Sequence, residues 1–326
     1  MSIRIGRRQF IIALGGAIAA WPVGAIAQVW PQRVVRIVVP YASGGGTDAF
    51  ARIMAAGLTK SAGYQVIVEN KGGGNTNIGT EDVARAVPDG YTLLFGQPAL
   101  AINRFLFPTL GYDAVRDFAP VSLLASYPDM MTVPNTSPAK TVAEFIAFAK
   151  SNGDRTTFTS PGVGSSPHLA GELFKRRAGI EMTHVPYRGS GPAATDTIAG
   201  RVDVFFDTFA SALPLVQGGQ LRGLAVTSAK RSPFAPELPS IAEAALPDFD
   251  VSGWYAFYVP AKTPPEIVHK LNADVVTALK DPELRDRLEK LGVVVVGSTP
   301  EQLDQHFKAE LALWEPVIKA ANIKLE

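Results

Sequence analysis

Residues 34–52 read VVRIVVPYASGGGTDAFAR. Val34 to Val39 is an apolar, β-branched run of the kind that forms a buried central strand. The chain then turns through Gly44, Gly45 and Gly46, and a helical pattern begins at about Thr47 or Asp48. A strand that ends in glycines and opens into a helix gathers backbone N–H groups and the positive end of a helix dipole at one spot. Such a spot suits a small anion. A plain strand–helix turn that uses glycine for tightness has the same pattern. Similar junctions recur at 71–79, 161–168 and 188–193, and the recurrence favours the anion site.

Outward from this stretch, strand and helix alternate. Asp48 to Ala62 is helical, with Asp48 and Arg52 spaced for an i,i+4 pair. Strands are predicted at Gln65–Val68, Tyr91–Phe95, Thr156–Thr159, His184–Tyr187, Val202–Phe206 and Leu221–Val226, with helices between them. In the last quarter Val251–Val259 is aromatic and extended, Pro264-Pro265 starts a helix, Asp281-Pro282 starts the next, Val293–Val296 is a strand, and Thr299-Pro300 caps a long final helix. This order predicts an α/β protein of two lobes, each a mainly parallel sheet flanked by helices, with the chain crossing twice between them. The lobes are assigned to 28–128 with 252–326, and to 129–251.

The composition is that of an ordinary globular chain, with 326 residues, 47% hydrophobic and 19% charged. Gly6-Arg7-Arg8-Gln9-Phe10-Ile11 resembles a twin-arginine export motif, a short apolar run follows, and Ala25-Ile26-Ala27 supplies a cleavage site. The expectation is a signal peptide over 1–27 and a mature periplasmic protein. The first 27 residues carry Arg4, Arg7 and Arg8 and no acid, so their removal turns the formal charge from +1 to −2. No basic field remains for nucleic acid. There is no cysteine, which excludes thiol catalysis and cysteine-built metal centres.

Catalytic motifs are absent: there is no H-E-x-x-H, no Walker loop and no G-x-S-x-G. The four histidines, 168, 184, 269 and 306, lack ligand spacing, so neither metal nor cofactor is expected. Thr47, Ser165, Ser166 and Ser190 are hydroxyls at helix starts, placed either to cap those helices or to grip a ligand. Ser166 is the expected N-cap, with Pro167 at the first helical position. His168 is either a partly buried histidine bonding a loop carbonyl or a donor to a carboxylate. Arg188 is a cation at such a junction, placed either for the ligand or in solvent.

Five segments together resemble the Bug family, the extracytoplasmic solute receptors of tripartite tricarboxylate transporters: IVVPYASGGGTDAFAR, VENKGGGNTNIGTEDVARAVPDGYTLL, GVGSSPHLAGELF, HVPYRGSGPAATD and LRGLAVTSAKRSP. The C-terminal GWYAFYVPAKTPPEIVHKLN and STPEQL…WEPVIKAA are similar too, so the likeness spans nearly all of 33–321. The resemblance implies a two-lobed periplasmic binding fold, type II-like. It closes on a small carboxylate and delivers it to integral membrane subunits, as a monomer and without chemistry. The gripping loops it implies are Tyr41 to Asp48 and Gly162 to His168. The site residues carried over are Tyr41, Ser43, Gly44, Gly45, Thr47, Asp48, Gln97, Gly164, Ser165, Ser166, His168, Asp207 and Thr208. Tyr41-Ala42-Ser43, Val163 and Pro167 depart from the family's usual residues and bear on which acid is bound. Two other functions fit the same sequence: an exported enzyme acting on a carboxylated compound, and a sensing module for a membrane kinase. Four tryptophans, of which Trp21 leaves with the signal, are expected to report closure by fluorescence.

Overall fold

The first strand, β1 (Val35–Val39), buries four of its five residues, as a β-branched run does when covered on both faces. It feeds α1 (Gly46–Ala62), which ends on the left-handed Gly63. The order continues β2 (Val66–Asn70), α2 (Asn77–Ala84), β3 (Thr92–Gly96), α3 (Ala99–Leu106) and the 17-residue β4 (Phe118–Pro134). Then come α4 (Val142–Asn152), β5 (Thr157–Ser160), α5 (Ser166–Ala178), β6 (Thr183–Pro186), α6 (Ser190–Ile198), β7 (Val204–Thr208), α7 (Phe209–Gln217) and β8 (Leu221–Val226). The chain closes with α8 (Ile241–Ala244), β9 (Ser252–Pro260), α9 (Pro265–Leu279), α10 (Pro282–Glu289), β10 (Val294–Val295) and α11 (Pro300–Ala320).

This computed structural model describes residues 30–187, 189–323 and 325. The expected signal peptide, its cleavage site and Arg188 lie outside the described residues. Arg33–Glu326 packs as one unit; of the other unit, Met1–Gln32, only 30–32 are described. Among the described residues no helix is long and apolar enough to cross a membrane.

The strands run in the order β2-β1-β3-β9-β4-β7-β5-β6, with β8 and β10 also on β4. The sheet is mixed. Parallel pairing holds within β2-β1-β3 and within β7-β5-β6. Around β4 and β9 it is antiparallel. A chain that leaves one half of a sheet through β4 and re-enters it through β9 returns in the opposite direction, which accounts for the antiparallel centre. β4 itself changes partners in mid-course. Phe118 to Pro128 pairs with β9, and from Asp129 and Met130 onward the strand pairs with β7 and β8.

Two of the apolar clusters among the described residues are large. One joins Val38, Leu94, Trp254, Tyr258 and Phe307. The other joins Phe145, Phe158, Phe174 and Phe206, each fully buried and each contributing about 1.5–3 kcal/mol by burial. The far end of α11, through Trp314, Val317 and Ile318, packs into this second core. One buried carboxylate, Glu310, accepts from the indole N–H of both Trp254 and Trp314 at 3.0 Å.

Candidate functional site

The carboxyl ends of β1, β3, β5 and β7 open toward one cavity of ≈ 310 Å³. That is where helix starts and loop amides converge in open α/β sheets. Tyr41 and Thr47 reach it from the end of β1, Gln97 from β3, Ser165 and Ser166 from β5, and Thr208 from β7. These are six of the thirteen residues carried over from the sequence. The other seven, Ser43, Gly44, Gly45, Asp48, Gly164, His168 and Asp207, lie outside the cavity wall, and several have visible structural duties instead.

Asp48 is buried, and its Oδ2 accepts from the Gly44 N–H at 2.9 Å and the Arg52 Nε–H at 3.0 Å. It closes the glycine turn from within, and the expected i,i+4 pair with Arg52 is made. α1 begins at Gly46 with Gly45 as a cap lacking a side-chain acceptor. Thr47 accepts from the Gln97 side-chain amide at 2.9 Å, which ties the first loop to the end of β3.

At α5 the expected capping order is reversed. Ser165 is the N-cap, its hydroxyl accepting from the His168 N–H, and Ser166 is the first helical residue. The reason is Pro167, whose fixed φ suits the opening turn of a helix and sits at the second helical position rather than the first. Intrahelical bonding starts with Leu169 N–H to the Ser165 carbonyl. Pro167 has no N–H and that of His168 is capped, so the Ser166 N–H is the first-turn donor left for the cavity.

His168 is 3% exposed and turns inward. Its Nδ1 accepts from the Gly164 N–H at 3.0 Å, and its ring stacks on His184 at 3.9 Å between centroids. Burial, followed by the neighbouring His184 and Lys175, pushes its pKa down to about 3. It is therefore neutral, and it orders the glycine loop rather than touching the cavity. The expected bond to a loop carbonyl is replaced by an acceptor bond from a loop amide.

Aromatic walls complete the cavity. Tyr255 of β9 lies 4.8 Å from Tyr127 of β4, ring to ring, and is backed by Phe50 at 4.7 Å and Phe95 at 5.2 Å. Asn75 and Ser211 also line it. None of Tyr127, Tyr255, Asn75 or Ser211 was singled out from the sequence as a site residue. Asn75 sits in the left-handed region at φ 51°, and the fully buried Asn103 pins it by donating to its carbonyl at 2.6 Å. An adjoining hollow shares Gly46, Ala210, Tyr255, Leu291 and Gly292 and runs on to Phe209, Leu213 and Phe234. Among the described residues neither lysine nor arginine lines the first cavity.

Behind this wall two aspartates are fully buried. Asp129 Oδ2 accepts from the Ser166 hydroxyl at 2.7 Å. Asp207 Oδ1 accepts from the Ser190 hydroxyl at 2.7 Å and from the Thr208 N–H at 2.8 Å. Each keeps one oxygen, Asp129 Oδ1 and Asp207 Oδ2, with no hydrogen-bond partner. Burial pushes Asp207 up to about 7, against the lowering effect of its two donors. No group of acids and histidines among the described residues is arranged to hold a metal ion.

A two-part mixed sheet with a cavity at the strand ends defines a solute-binding protein of the periplasmic type. The family model for the tripartite tricarboxylate transporter receptor family (TctC) matches residues 50–323, and the chain belongs to that family, the one its sequence resembles. It is 39% identical over 318 residues to the UPF0065 protein in the tcbD-tcbE intergenic region of Pseudomonas sp. strain P51, covering 96% of this chain and 94% of that one. Among solved structures, R. palustris Rpa4515 with adipate is similar at TM-score 0.79 and 38% identity, covering 90% of this chain and 99% of that one. MatC (Rpa3494) from Rhodopseudomonas palustris with bound malate is similar at 0.75 and 34%, covering 89% and 100%.

Proposed function

We propose that this protein is a periplasmic receptor that captures a small organic carboxylate in the cavity. It then hands the acid to the integral membrane subunits of a tripartite tricarboxylate-type transporter. The observation that carries this reading is the chemistry of the wall. It offers the hydroxyls of Tyr41 and Thr47, the Gln97 amide and the Ser166 N–H at the α5 helix start, with no basic side chain among the described lining residues. Directed neutral donors and a helix N-terminus hold a carboxylate without a salt bridge. The relatives solved with adipate and malate support an acid of that size. The adjoining hollow offers room for an apolar body.

The lobes are 28–128 with 252–326, and 129–251. The change of partners along β4 between Pro128 and Asp129 supports that division. In this reading residues 1–27 are removed on export, and the receptor works as a monomer, without a cofactor and without altering its ligand.

Thermal-shift screening of dicarboxylates from malate to adipate against their diamides tests the reading. The acids alone should stabilise, by about 2.7 kcal/mol at a hundredfold excess over Kd. Equal shifts from acid and amide would count against it, and turnover of the acid, followed by mass spectrometry, would favour an enzyme.

A further inference from the structure

Ser166 faces the cavity and bonds a buried acid at the same time. A hydroxyl has one hydrogen to give. While Asp129 is ionised it can only accept, so Ser166 must donate to it and turn lone pairs toward the cavity. A ligand carboxylate entering there would meet lone pairs and two buried anions with no cation between them. If Asp129 carries a proton, the order inverts: Asp129 donates to Ser166 Oγ, and Ser166 donates to the ligand.

We propose that Asp129 is a proton-holding positioning residue, and that capture of a carboxylate is linked to the proton on Asp129 through Ser166. This rests on the carboxylate reading of the cavity. The balance is simple: receptor with ionised Asp129, ligand anion and one proton from water combine, and no covalent bond other than O–H forms.

The surroundings of Asp129 support it from every side. From β7 it faces Asp207, a second buried acid that raises its pKa. From α5 it meets the Ser166 hydroxyl. Along its own strand and from β9 come the phenols of the half-buried Tyr127 and the buried Tyr255, both held neutral. Its backbone N–H donates to the Thr227 hydroxyl at 2.8 Å. No lysine, arginine or histidine among the described residues bonds or pairs with Asp129 or Asp207, and one oxygen of each acid has no partner. A dehydrated carboxyl without a cation is held more cheaply as the neutral acid. Burial first, then Asp207, lifts Asp129 to about 8 despite the Ser166 bond. A bound anion adds a third negative charge and favours the proton further.

The test combines calorimetric titration in buffers of different ionisation heat with the dicarboxylate that gives the largest thermal shift. Wild type should bind with constant affinity near pH 6. Above about pH 8 it should weaken about tenfold per pH unit while taking up close to one proton per ligand. Asp129→Asn, which keeps a donor toward Ser166, should bind with a flat pH profile and no proton uptake in this range. Asp207→Asn should still take up the proton. Ser166→Ala should weaken binding about ten- to hundredfold and lose the pH dependence. The infrared difference between ligand-free wild type and Asp129→Asn at pH 6 should show a protonated-carboxyl band distinct from the one that Asp207→Asn removes.

Proton uptake that survives in Asp129→Asn overturns the proposal, as does a wild-type affinity independent of pH up to 9. The absence of any acid-specific binding would instead overturn the carboxylate reading. In that case the infrared band still decides whether Asp129 holds a proton.

Discussion

The starts of α1 and α5 read alike in sequence, each a glycine turn running into a helix, yet they are built differently. At α1 the turn is closed from inside by an acid, Asp48, which sits in the first turn and partly cancels the helix dipole there. At α5 the first turn carries no acid, Ser165 caps it, and a neutral histidine ring accepts the Gly164 amide. The anion-attracting end of α5 is therefore the less compensated of the two. Glycine spacing alone does not reveal this, because it records where the backbone turns and not which side chain satisfies the freed amides.

Substitutions at the two junctions can break or sharpen the contrast. The largest loss of stability is expected for His168→Phe, which keeps a ring against His184 but leaves the buried Gly164 N–H without an acceptor. The cost should be about 1–3 kcal/mol in urea unfolding. An unchanged midpoint would mean that the loop is held by something other than the His168 ring.

Next comes Gly44→Ala. Gly44 has φ +91°, so a side chain is strained even though nothing lies within 4 Å of its Cβ direction, and about 1–2 kcal/mol should be lost. Gly46 is equally open but is not at positive φ. Gly46→Ala should therefore stay within about 0.5 kcal/mol of wild type. If the two variants cost the same, backbone strain is not what Gly44 relieves. Smaller than for Gly44→Ala is the loss for Ser165→Ala at α5, which removes a cap worth typically ~1 kcal/mol. Its effect should appear in melting more than in affinity, because the hydroxyl is spent on His168 and on the Gly162 carbonyl. A variant that melts normally but binds weakly would return Ser165 to the ligand.

Much of the outer architecture was legible because its signals are local. A β-branched run gave β1, and proline and serine or threonine marked the starts of α5 and α11. The centre was not. β4 contains Pro120 and Pro128, carries Asp129 in mid-strand and shifts register twice against β9, features that argue against a strand when read from the sequence. It nevertheless holds together because it has partners on both sides in each half. Losing β4 meant losing Tyr127 and Asp129 as site residues. Tyr255 lay in a stretch correctly read as extended, but which aromatic faces a cavity depends on how β9 meets β4. Ser165 and Ser166 were found as a pair, and their roles were exchanged because a proline at the second helical position is indistinguishable from one at the first without the backbone.

The expectation that tryptophan emission reports ligand capture looks different once Glu310 is considered. Trp254 and Trp314 are almost fully buried, lie outside the cavity wall, and share that single carboxyl. Burial raises the pKa of Glu310, partly offset by the two indole donors. Both chromophores are thus tuned by the ionisation of one acid, so a pH ramp should move their spectra together. Ligand can enter and leave a cavity walled by tyrosines with the indole signal largely unmoved.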